Sequence, residues 1–258
     1  MSGKVYLVGA GPGAADLLTL RAARLLAEAD IVFFDALVHP DTIALAAKAK
    51  KVAVGKRAGQ VSTDQRFINR ALVEAAARYD VVVRLKGGDP MLFGRAQEEI
   101  DALQEGGIAF EVVPGITAAM AASARLGVSL TRRGVARSVA FATPRIGPNE
   151  RDSDWLEGVL HADTAILYMA ASQSATIAEA LIAAGKRADL PVAVVENASL
   201  LNEKQFRTSL AGLAVSSLAF SGPAILCLGE VFSPKVMQSD EAHAARMRQM
   251  HASRCQTI

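Results

Sequence analysis

The fold is indicated first by residues 4–13, KVYLVGAGPG. The apolar run at 5–8 predicts a buried β-strand, and the glycine-rich turn after it predicts a short connection into a helix. Four more apolar runs follow in the first half of the chain, and helical patterns separate them. This alternation predicts an α/β domain with a parallel sheet. The predicted strands cover 5–8, 31–34, 51–54, 81–85 and 110–113, and the predicted helices cover 17–29, 40–49, 63–78 and 97–105.

The second half repeats the α/β pattern less regularly. We therefore predict two α/β domains with mainly parallel sheets, at 1–114 and 115–234, followed by a tail at 235–258. The polar stretch 145–153 predicts a surface loop. The predicted strands of this half cover 139–142, 165–169, 192–195, 205–208 and 224–228, and the helices cover 117–125, 174–184 and part of 210–219.

The composition excludes several classes of protein. A chain of 258 residues with 51% hydrophobic and 21% charged residues is too apolar for disorder. It has no apolar run of about 20 residues, and its first strand begins too early for a signal peptide, so we predict a cytoplasmic protein without a membrane partner. A net charge of +2 does not indicate nucleic-acid binding. Two cysteines and four histidines without metal-ligand spacing predict no metal site.

Chemistry is expected after the strands of the first half, because open parallel sheets bind ligands at the carboxyl ends of their strands. Glycines, ionisable residues or both follow every one of these five strands. Such convergence at one edge of a sheet is stronger support for a ligand site than any single motif. The segments are the glycine loop 9–13, Asp35, the triplet 55–57, the loop 86–90 and the segment 114–117.

The glycine loop permits two interpretations. A glycine-rich turn before a helix can approach a phosphate group closely, and Asp35 could then bind a ribose hydroxyl as in NAD-binding folds. However, the spacing is G-x-G-P-G instead of G-x-G-x-x-G, and Pro12 removes a backbone N–H that a pyrophosphate would need. The sequence therefore favours a tight strand-to-helix turn over an NAD site.

Two further features bear on the ligand. Asp89, in the sequence Gly-Gly-Asp-Pro, is either a carboxylate that binds a hydroxyl or cationic group of the ligand or a helix N-cap. Arginines in loops suit the capture of carboxylates or phosphates, whereas basic residues on helices are more often solvated surface. Met169, at the end of an apolar run, would ordinarily be core. The basic loop residues are Lys56, Arg57, Lys86, Arg95, Arg132, Arg133, Arg137 and Arg145.

Three runs carry a resemblance to a known family. Residues 5–13 (VYLVGAGPG), 83–90 (VRLKGGDP) and 112–117 (VVPGIT) resemble the tetrapyrrole, or precorrin, methyltransferases. Within that superfamily, RLKGGDP followed by FGR and two glutamates is similar to the uroporphyrinogen-III C-methyltransferase family. The resemblance covers most of residues 4–232. Arg132 departs from it, since the family places histidine in the motif L-T-H-R.

The resemblance implies two α/β domains with S-adenosylmethionine in the crevice between them, usually in a homodimer. It implies two successive methyl transfers to pyrrole carbons of uroporphyrinogen III, which give precorrin-2, and no metal. Asp35 and Lys56 are its candidate acid–base residues, and Arg95 is its substrate or catalytic arginine. The implied cofactor contacts are Pro12, Gly87, Gly88, Asp89, Leu92, Thr117, Ala118, Met169, Ala198, Pro223 and Ala224, and the arginine-rich loops add Arg57, Lys86, Arg132, Arg133 and Arg145 as substrate-binding residues.

Two alternatives to this function stay open at this point. A methyltransferase acting on a later precorrin would share the cofactor loops, and a tetrapyrrole-binding protein would bind the substrate without turnover. The motifs also do not distinguish sirohaem, cobalamin and haem d1 as the destination of the product.

Overall fold

The computed structural model describes residues 3–55, 65–146 and 154–234. Contacts divide the chain into two units, with the division between Ala121 and Ala122. The short segment Ala198–Asn202 is assigned to the first unit. The division falls a few residues after the boundary predicted between 114 and 115.

The first unit contains the parallel sheet that the sequence predicts. Its strand order is β3-β2-β4-β1-β5, and every pair of neighbours is parallel. Helices connect most of the strands, as parallel pairing requires. The strands are β1 Lys4–Gly9, β2 Ile31–Phe34, β3 Lys50–Ala53, β4 Val81–Lys86 and β5 Phe110–Val113, and the helices are α1 Leu20–Glu28, α2 Pro40–Ala44, α3 Gln65–Ala76, α4 Ala96–Glu105 and α5 Ala118–Leu126, which runs on into the second unit.

The sheet of the first unit is buried on both faces. Val5 and Leu7 of β1 pack into one apolar cluster with Leu72 and Leu103, whereas Val8 packs into a second cluster. Successive side chains of a strand point to opposite faces, so helices on both sides cover nearly continuous apolar strands. The carboxyl ends of all five strands therefore stay at one edge, where the loops are free to carry polar groups.

The second unit is also α/β, but its sheet is mixed. The strand order is β6-β7-β10-β8-β9; only β6 and β7 are parallel, and the other three pairs are antiparallel. The strands are β6 Val139–Ala142, β7 Thr164–Leu167, β8 Pro191–Glu196, β9 Lys204–Ser209 and β10 Ala224–Gly229, and the helices are α6 Trp155–His161, α7 Ser174–Ala183 and α8 Leu210–Ala214.

The prediction of a mainly parallel sheet is thus wrong for the second unit. Residues 197–203 between β8 and β9 are too few to carry a crossover helix, so these strands pair antiparallel. β10 lies between β7 and β8 and is antiparallel to both. Because of this direction, β10 begins at the edge where β6, β7 and β8 end.

Among the described residues, no helix combines the length and the apolar character that a membrane span requires.

Candidate functional site

Glycines pack the loops after β1, β4 and β5 against one another. Gly11 and Gly88 form an antiparallel bridge, in which the Gly88 N–H donates to the Gly11 carbonyl at 2.8 Å and the Gly11 N–H donates to the Gly88 carbonyl at 3.2 Å. A Cβ on Gly115 would lie 2.3 Å from the Gly88 carbonyl oxygen and 2.8 Å from the Gly9 Cα. Both distances are shorter than atoms can approach, so only glycine fits at this crossing of backbones.

Asp89 fastens two of these loops together. Its Oδ2 accepts a hydrogen bond from the Gly115 N–H at 2.9 Å, and its Oδ1 accepts one from the Met91 N–H at 2.8 Å. The helix-cap interpretation is wrong, because Asp89 begins a turn and α4 starts only at Ala96. Asp89 therefore connects the loop 86–90 to the segment after β5.

The predicted cofactor residues of the first unit suit a small polar ligand. Seven of them are partly exposed. Apart from its two chain neighbours, a Cβ on Gly88 would have one atom of the described residues within 4 Å, the Thr117 Cα at 3.9 Å. This open backbone edge leaves room for a small ligand to approach the main chain. Ala198 is buried, and the next residue, Ser199, accepts a hydrogen bond from the Ala14 N–H at 3.1 Å. The partly exposed residues are Pro12, Gly87, Gly88, Asp89, Leu92, Thr117 and Ala118.

Four charged side chains form a network under the same edge. Arg84 donates through Nη2 to Asp35 and through Nε to Glu99 at 3.0 Å. Lys86 Nζ lies 2.9 Å from both oxygens of Glu99. The side chains of Arg84, Lys86 and Glu99 are at most 3% exposed, whereas that of Asp35 is 27% exposed. Two positive and two negative charges balance, and Asp35 is the member that solvent or a ligand can reach.

Burial and charge act in opposite directions in this network. Burial lowers the pKa of Lys86 below its ordinary value and Arg84 adds to this effect, although Glu99 opposes it. Burial would also lower the pKa of Arg84, but Asp35 and Glu99 outweigh burial and raise it. Lys86, a predicted substrate-binding residue, is buried and pairs with Glu99.

Arg95 lies at the start of α4 on the exposed surface. Its backbone adopts the left-handed conformation, with φ of 56°. Its guanidinium pairs with Glu98, at 2.6 Å from Nε to Oε1 and 2.8 Å from Nη2 to Oε2. This exchangeable surface pair leaves Arg95 able to meet an acidic ligand. Of the other predicted residues, Lys56 and Arg57 lie outside the described residues.

The direction of β10 brings three predicted cofactor residues of the second unit to one edge of its sheet. Ala224 begins β10 and pairs with Glu196, the last residue of β8. Leu226 pairs with Leu167, the last residue of β7, and Met169 follows two residues later at the same edge. Met169 is 44% exposed with φ of 55°, so it is not a core residue. Pro223 directly precedes β10 and is exposed.

Arginines also line a shallow cavity in the second unit. The cavity has a volume of about 350 Å³ and is formed by Thr131, Arg132, Arg133, Ala136 and Arg137. It therefore contains two of the predicted substrate-binding residues, Arg132 and Arg133. Arg145 does not line it; this residue lies beyond β6, where its N–H donates to the Thr143 hydroxyl at 3.3 Å. Within the described part of the chain, no group of three or more His, Cys, Asp or Glu residues could hold a metal ion.

Three charged residues of these edges were not predicted from the sequence: Arg84, Glu99 and Glu196. Arg84 interrupts the apolar run 81–85, and Glu196 ends the apolar run 191–195. A charge in a strand that is otherwise buried must find a partner, which is the signal that could have identified both. Glu99 carries no such signal, because a helix of an α/β protein usually exposes its glutamates.

A parallel α/β sheet with glycine crossings at its carboxyl edge places the chain among the α/β proteins that bind small molecules at the ends of their strands. The model of the tetrapyrrole (corrin/porphyrin) methylases matches residues 4–214. The chain therefore belongs to the tetrapyrrole methylase family.

Relatives within this family are similar over most of the chain. A uroporphyrinogen-III C-methyltransferase from Pseudomonas aeruginosa is 43% identical over 240 residues, which cover 92% of this chain and 98% of the relative. A siroheme synthase from Zymomonas mobilis is 43% identical over 230 residues, or 89% of this chain. The chain spans about half the length of that synthase, 49%.

Solved structures agree with the family assignment. The uroporphyrin-III C-methyltransferase of Thermus thermophilus, complexed with S-adenosylhomocysteine, has a TM-score of 0.79 at 39% identity and covers 89% of this chain and 98% of its own. A cobalt precorrin-4 methyltransferase has a TM-score of 0.76 at 29% identity, covering 90% and 96%. The predicted fold class of two α/β domains is confirmed.

Proposed function

We propose that the protein is an S-adenosylmethionine-dependent uroporphyrinogen-III C-methyltransferase that forms precorrin-2 by two successive methylations. The observation that carries this proposal is the 43% identity to the Pseudomonas aeruginosa enzyme over 98% of that enzyme's length. Similarity of this extent leaves only about 2% of the relative without a counterpart in this chain. The siroheme synthases support the same assignment for about half of their length.

The loops at the carboxyl edge of the first sheet support cofactor binding. Gly88 presents an open backbone edge, and Asp89 holds the loop 86–90 against Gly115. Bound S-adenosylmethionine supplies an electrophilic methyl group on its sulfonium sulfur. These loops would hold the cofactor, and the precise placement of two reactants dominates the rate of an in-line transfer. The proposed contacts in the second unit are Met169, Pro223 and Ala224.

The reaction also requires a proton to leave the methylated pyrrole system. Asp35 is the proposed acid–base residue, because Arg84 fixes its position while part of its carboxylate stays exposed. Lys56 is proposed for the same step from the family resemblance alone. Arg95 is proposed to contact the substrate after exchanging its surface partner Glu98.

Arginines are proposed to bind the carboxylates of the substrate. Arg132 and Arg133 line the cavity of the second unit, whose basic character suits a ligand with several acidic side chains. Arg57 and Arg145 are proposed for the same role from the sequence. Lys86 is less suited to it, since it is buried beside Glu99.

The decisive experiment is incubation of the protein with S-adenosylmethionine and enzymatically prepared uroporphyrinogen III, followed by mass spectrometry over time. The expected result is a transient product with one added methyl group and a main product with two. A reaction that stops at one methyl group with excess cofactor would contradict the two-step assignment. Turnover of a later precorrin in place of uroporphyrinogen III would assign the chain to the alternative that the cobalt precorrin-4 methyltransferase represents.

The assembly and the location of the protein are also proposals. The family resemblance favours a homodimer, so light scattering should give twice the chain mass of 27.1 kDa. A cytoplasmic location rests on the sequence.

A further inference from the structure

Glu196 is a buried carboxylate that binds a single loop. It ends β8 and has no exposed surface. Its Oε1 accepts hydrogen bonds from the Ser221 N–H, from the Ser221 hydroxyl at 2.9 Å and from the Gly222 N–H at 2.8 Å. All three donors belong to two successive residues, so this oxygen fixes the course of the chain just before Pro223.

The neighbouring residue of β8 holds the same loop from a second direction. The Asn197 N–H donates to the Pro223 carbonyl at 2.9 Å. The Asn197 side chain occupies the space that a Cβ on Gly222 would take, since its Oδ1 would lie 2.0 Å from that atom. Residues 221–223 therefore fit closely onto the end of β8, and Ala224 continues from them into the register that pairs it with Glu196.

The negative charge of Glu196 is suited to this task. Burial disfavours the charged form, but the hydrogen bonds from Gly222 and Ser221 and the charge of Lys204 outweigh burial and hold the pKa of Glu196 below its ordinary value. Lys204 Nζ lies 3.7 Å from Oε2, and within the described residues Oε2 has no hydrogen-bond partner. Burying a charge at a strand end costs more than burying an apolar side chain of the same size. A leucine at position 196 would therefore stabilise β8 more than glutamate does. Only the carboxylate can accept hydrogen bonds from several N–H donors.

We propose that Glu196 is a positioning residue for cofactor binding, which sets Pro223 and Ala224 where the adenosyl cofactor contacts them. This inference rests on the proposed function, because Pro223 and Ala224 are its cofactor-binding residues. Glu196 acts through the loop 221–223 and does not itself touch the cofactor, since it has no exposed surface.

Titration calorimetry of the full chain with S-adenosylhomocysteine tests the proposal. In Glu196→Gln, an NH₂ group replaces one carboxylate oxygen and the charge is lost, so the loop is held less firmly and affinity should fall by about tenfold. Ser221→Ala removes only the hydroxyl donor and keeps both backbone bonds, so affinity should fall by about threefold. Glu179→Gln makes the same chemical change as the first variant at an exposed position of α7, and its affinity should equal that of the wild type.

Steady-state kinetics separates a positioning role from a general structural role. Glu196→Gln and Ser221→Ala should each raise KM for S-adenosylmethionine and leave kcat at saturating cofactor nearly unchanged. Loss of folded protein would instead lower the apparent kcat and leave KM unchanged. If Glu196→Gln does not fold, Ser221→Ala alone decides, and wild-type affinity and KM in that variant would overturn the proposal. Unchanged affinity in a folded Glu196→Gln would overturn it as well. Failure of the wild type to bind S-adenosylhomocysteine would instead count against the proposed function.

Discussion

At the scale of single residues, we expect Asp89 to act on cofactor binding through the backbone that it holds. Both of its oxygens accept backbone hydrogen bonds, from Met91 and from Gly115. Asp89→Ala should free the loop 86–90 from the segment after β5 and weaken S-adenosylhomocysteine binding by about tenfold, which is the lower end for loss of hydrogen bonds to a charged group. Calorimetry measures this change. Asp89→Asn keeps one of the two acceptor oxygens and replaces the other with an NH₂ group, so its affinity should be intermediate.

The matching experiment on Arg95 should give the opposite pattern. Arg95 pairs with Glu98 on the surface, outside the glycine loops that we propose for the cofactor. Arg95→Ala should therefore lower kcat with uroporphyrinogen III and leave S-adenosylhomocysteine affinity as in the wild type. Equal loss of cofactor affinity in Asp89→Ala and Arg95→Ala would refute this division of roles.

Loss of the Glu99 carboxylate should cost substantial stability. Glu99 is fully buried between Arg84 and Lys86, so Glu99→Gln would leave two buried cations facing a single remaining carboxylate, Asp35. Breaking a buried ion pair by removing one partner typically costs about 3–5 kcal/mol in the free energy of unfolding. Urea unfolding measures the loss.

The neighbouring Glu98 offers a matched control for that experiment. It lies on the same helix, and its pair with Arg95 is exposed. Glu98→Gln should change the free energy of unfolding by no more than about 1 kcal/mol, because exposed ion pairs contribute little. Equal losses in the free energy of unfolding for Glu99→Gln and Glu98→Gln would show that the buried ion pairs of Glu99 contribute no more than an exposed pair.

At the scale of elements, the crossing of the loops after β1, β4 and β5 requires glycine at 115. A Cβ there would meet the Gly88 carbonyl oxygen and the Gly9 Cα, which are both backbone atoms and cannot rotate away. Gly115→Ala should cost about 1–3 kcal/mol in the free energy of unfolding, as overpacking does, and should also weaken S-adenosylhomocysteine binding.

Gly158 tests whether these effects arise from the crossing. It lies within α6, and among the described residues a Cβ there would have no atom within 4 Å apart from the backbone of its own helix. Gly158→Ala should stabilise the protein by about 0.5–1 kcal/mol, because glycine is unfavourable inside a helix. A Gly115→Ala variant with wild-type stability and affinity would show that the three loops can separate without loss.

The elements also show which parts of the fold could be predicted. The strands of the first unit are apolar runs between helical patterns, so both their positions and their parallel direction follow from the sequence. In the second unit the strand positions follow in the same way, but their direction depends on which neighbours they choose. Nothing in the run 224–228 indicates that β10 lies between β7 and β8. Helix α6 was not predicted, because it follows directly on a polar stretch.

The same distinction applies to the candidate site. The loops at strand ends could be predicted, since parallel strands bring their carboxyl ends together. The partners of Arg84 and Glu196 could not, because they lie far away in the sequence: Glu99 on a helix and Ser221 in a loop before another strand. Buried charges are paired by tertiary contacts, which no local pattern records.

At the scale of the whole molecule, carboxylates held by hydrogen bonds determine how stability responds to acid. Asp163 accepts hydrogen bonds from the Arg137 and Ser138 N–H groups and from the Ser138 hydroxyl, and these lower its pKa. Lys4 lowers the pKa of Glu111 in the same way. A carboxyl with a lower pKa in the folded state binds fewer protons there than in the unfolded chain.

The contribution of these two carboxylates to the free energy of unfolding should therefore be constant near neutral pH and fall in acid. The contribution of such a carboxylate is complete above its unfolded pKa, about 3.9 for aspartate, and is lost as the pH falls through the lower folded value. Asp163→Asn keeps the shape of the side chain and removes its ionisation, so the variant should be less stable than the wild type at pH 7. Urea unfolding at a series of pH values should show the two proteins converging below about pH 3.9, because protonation then removes the same charge from the wild type. A stability difference that stays constant from neutral to acid pH would contradict this account and would assign the effect of Asp163 to hydrogen-bond geometry without charge.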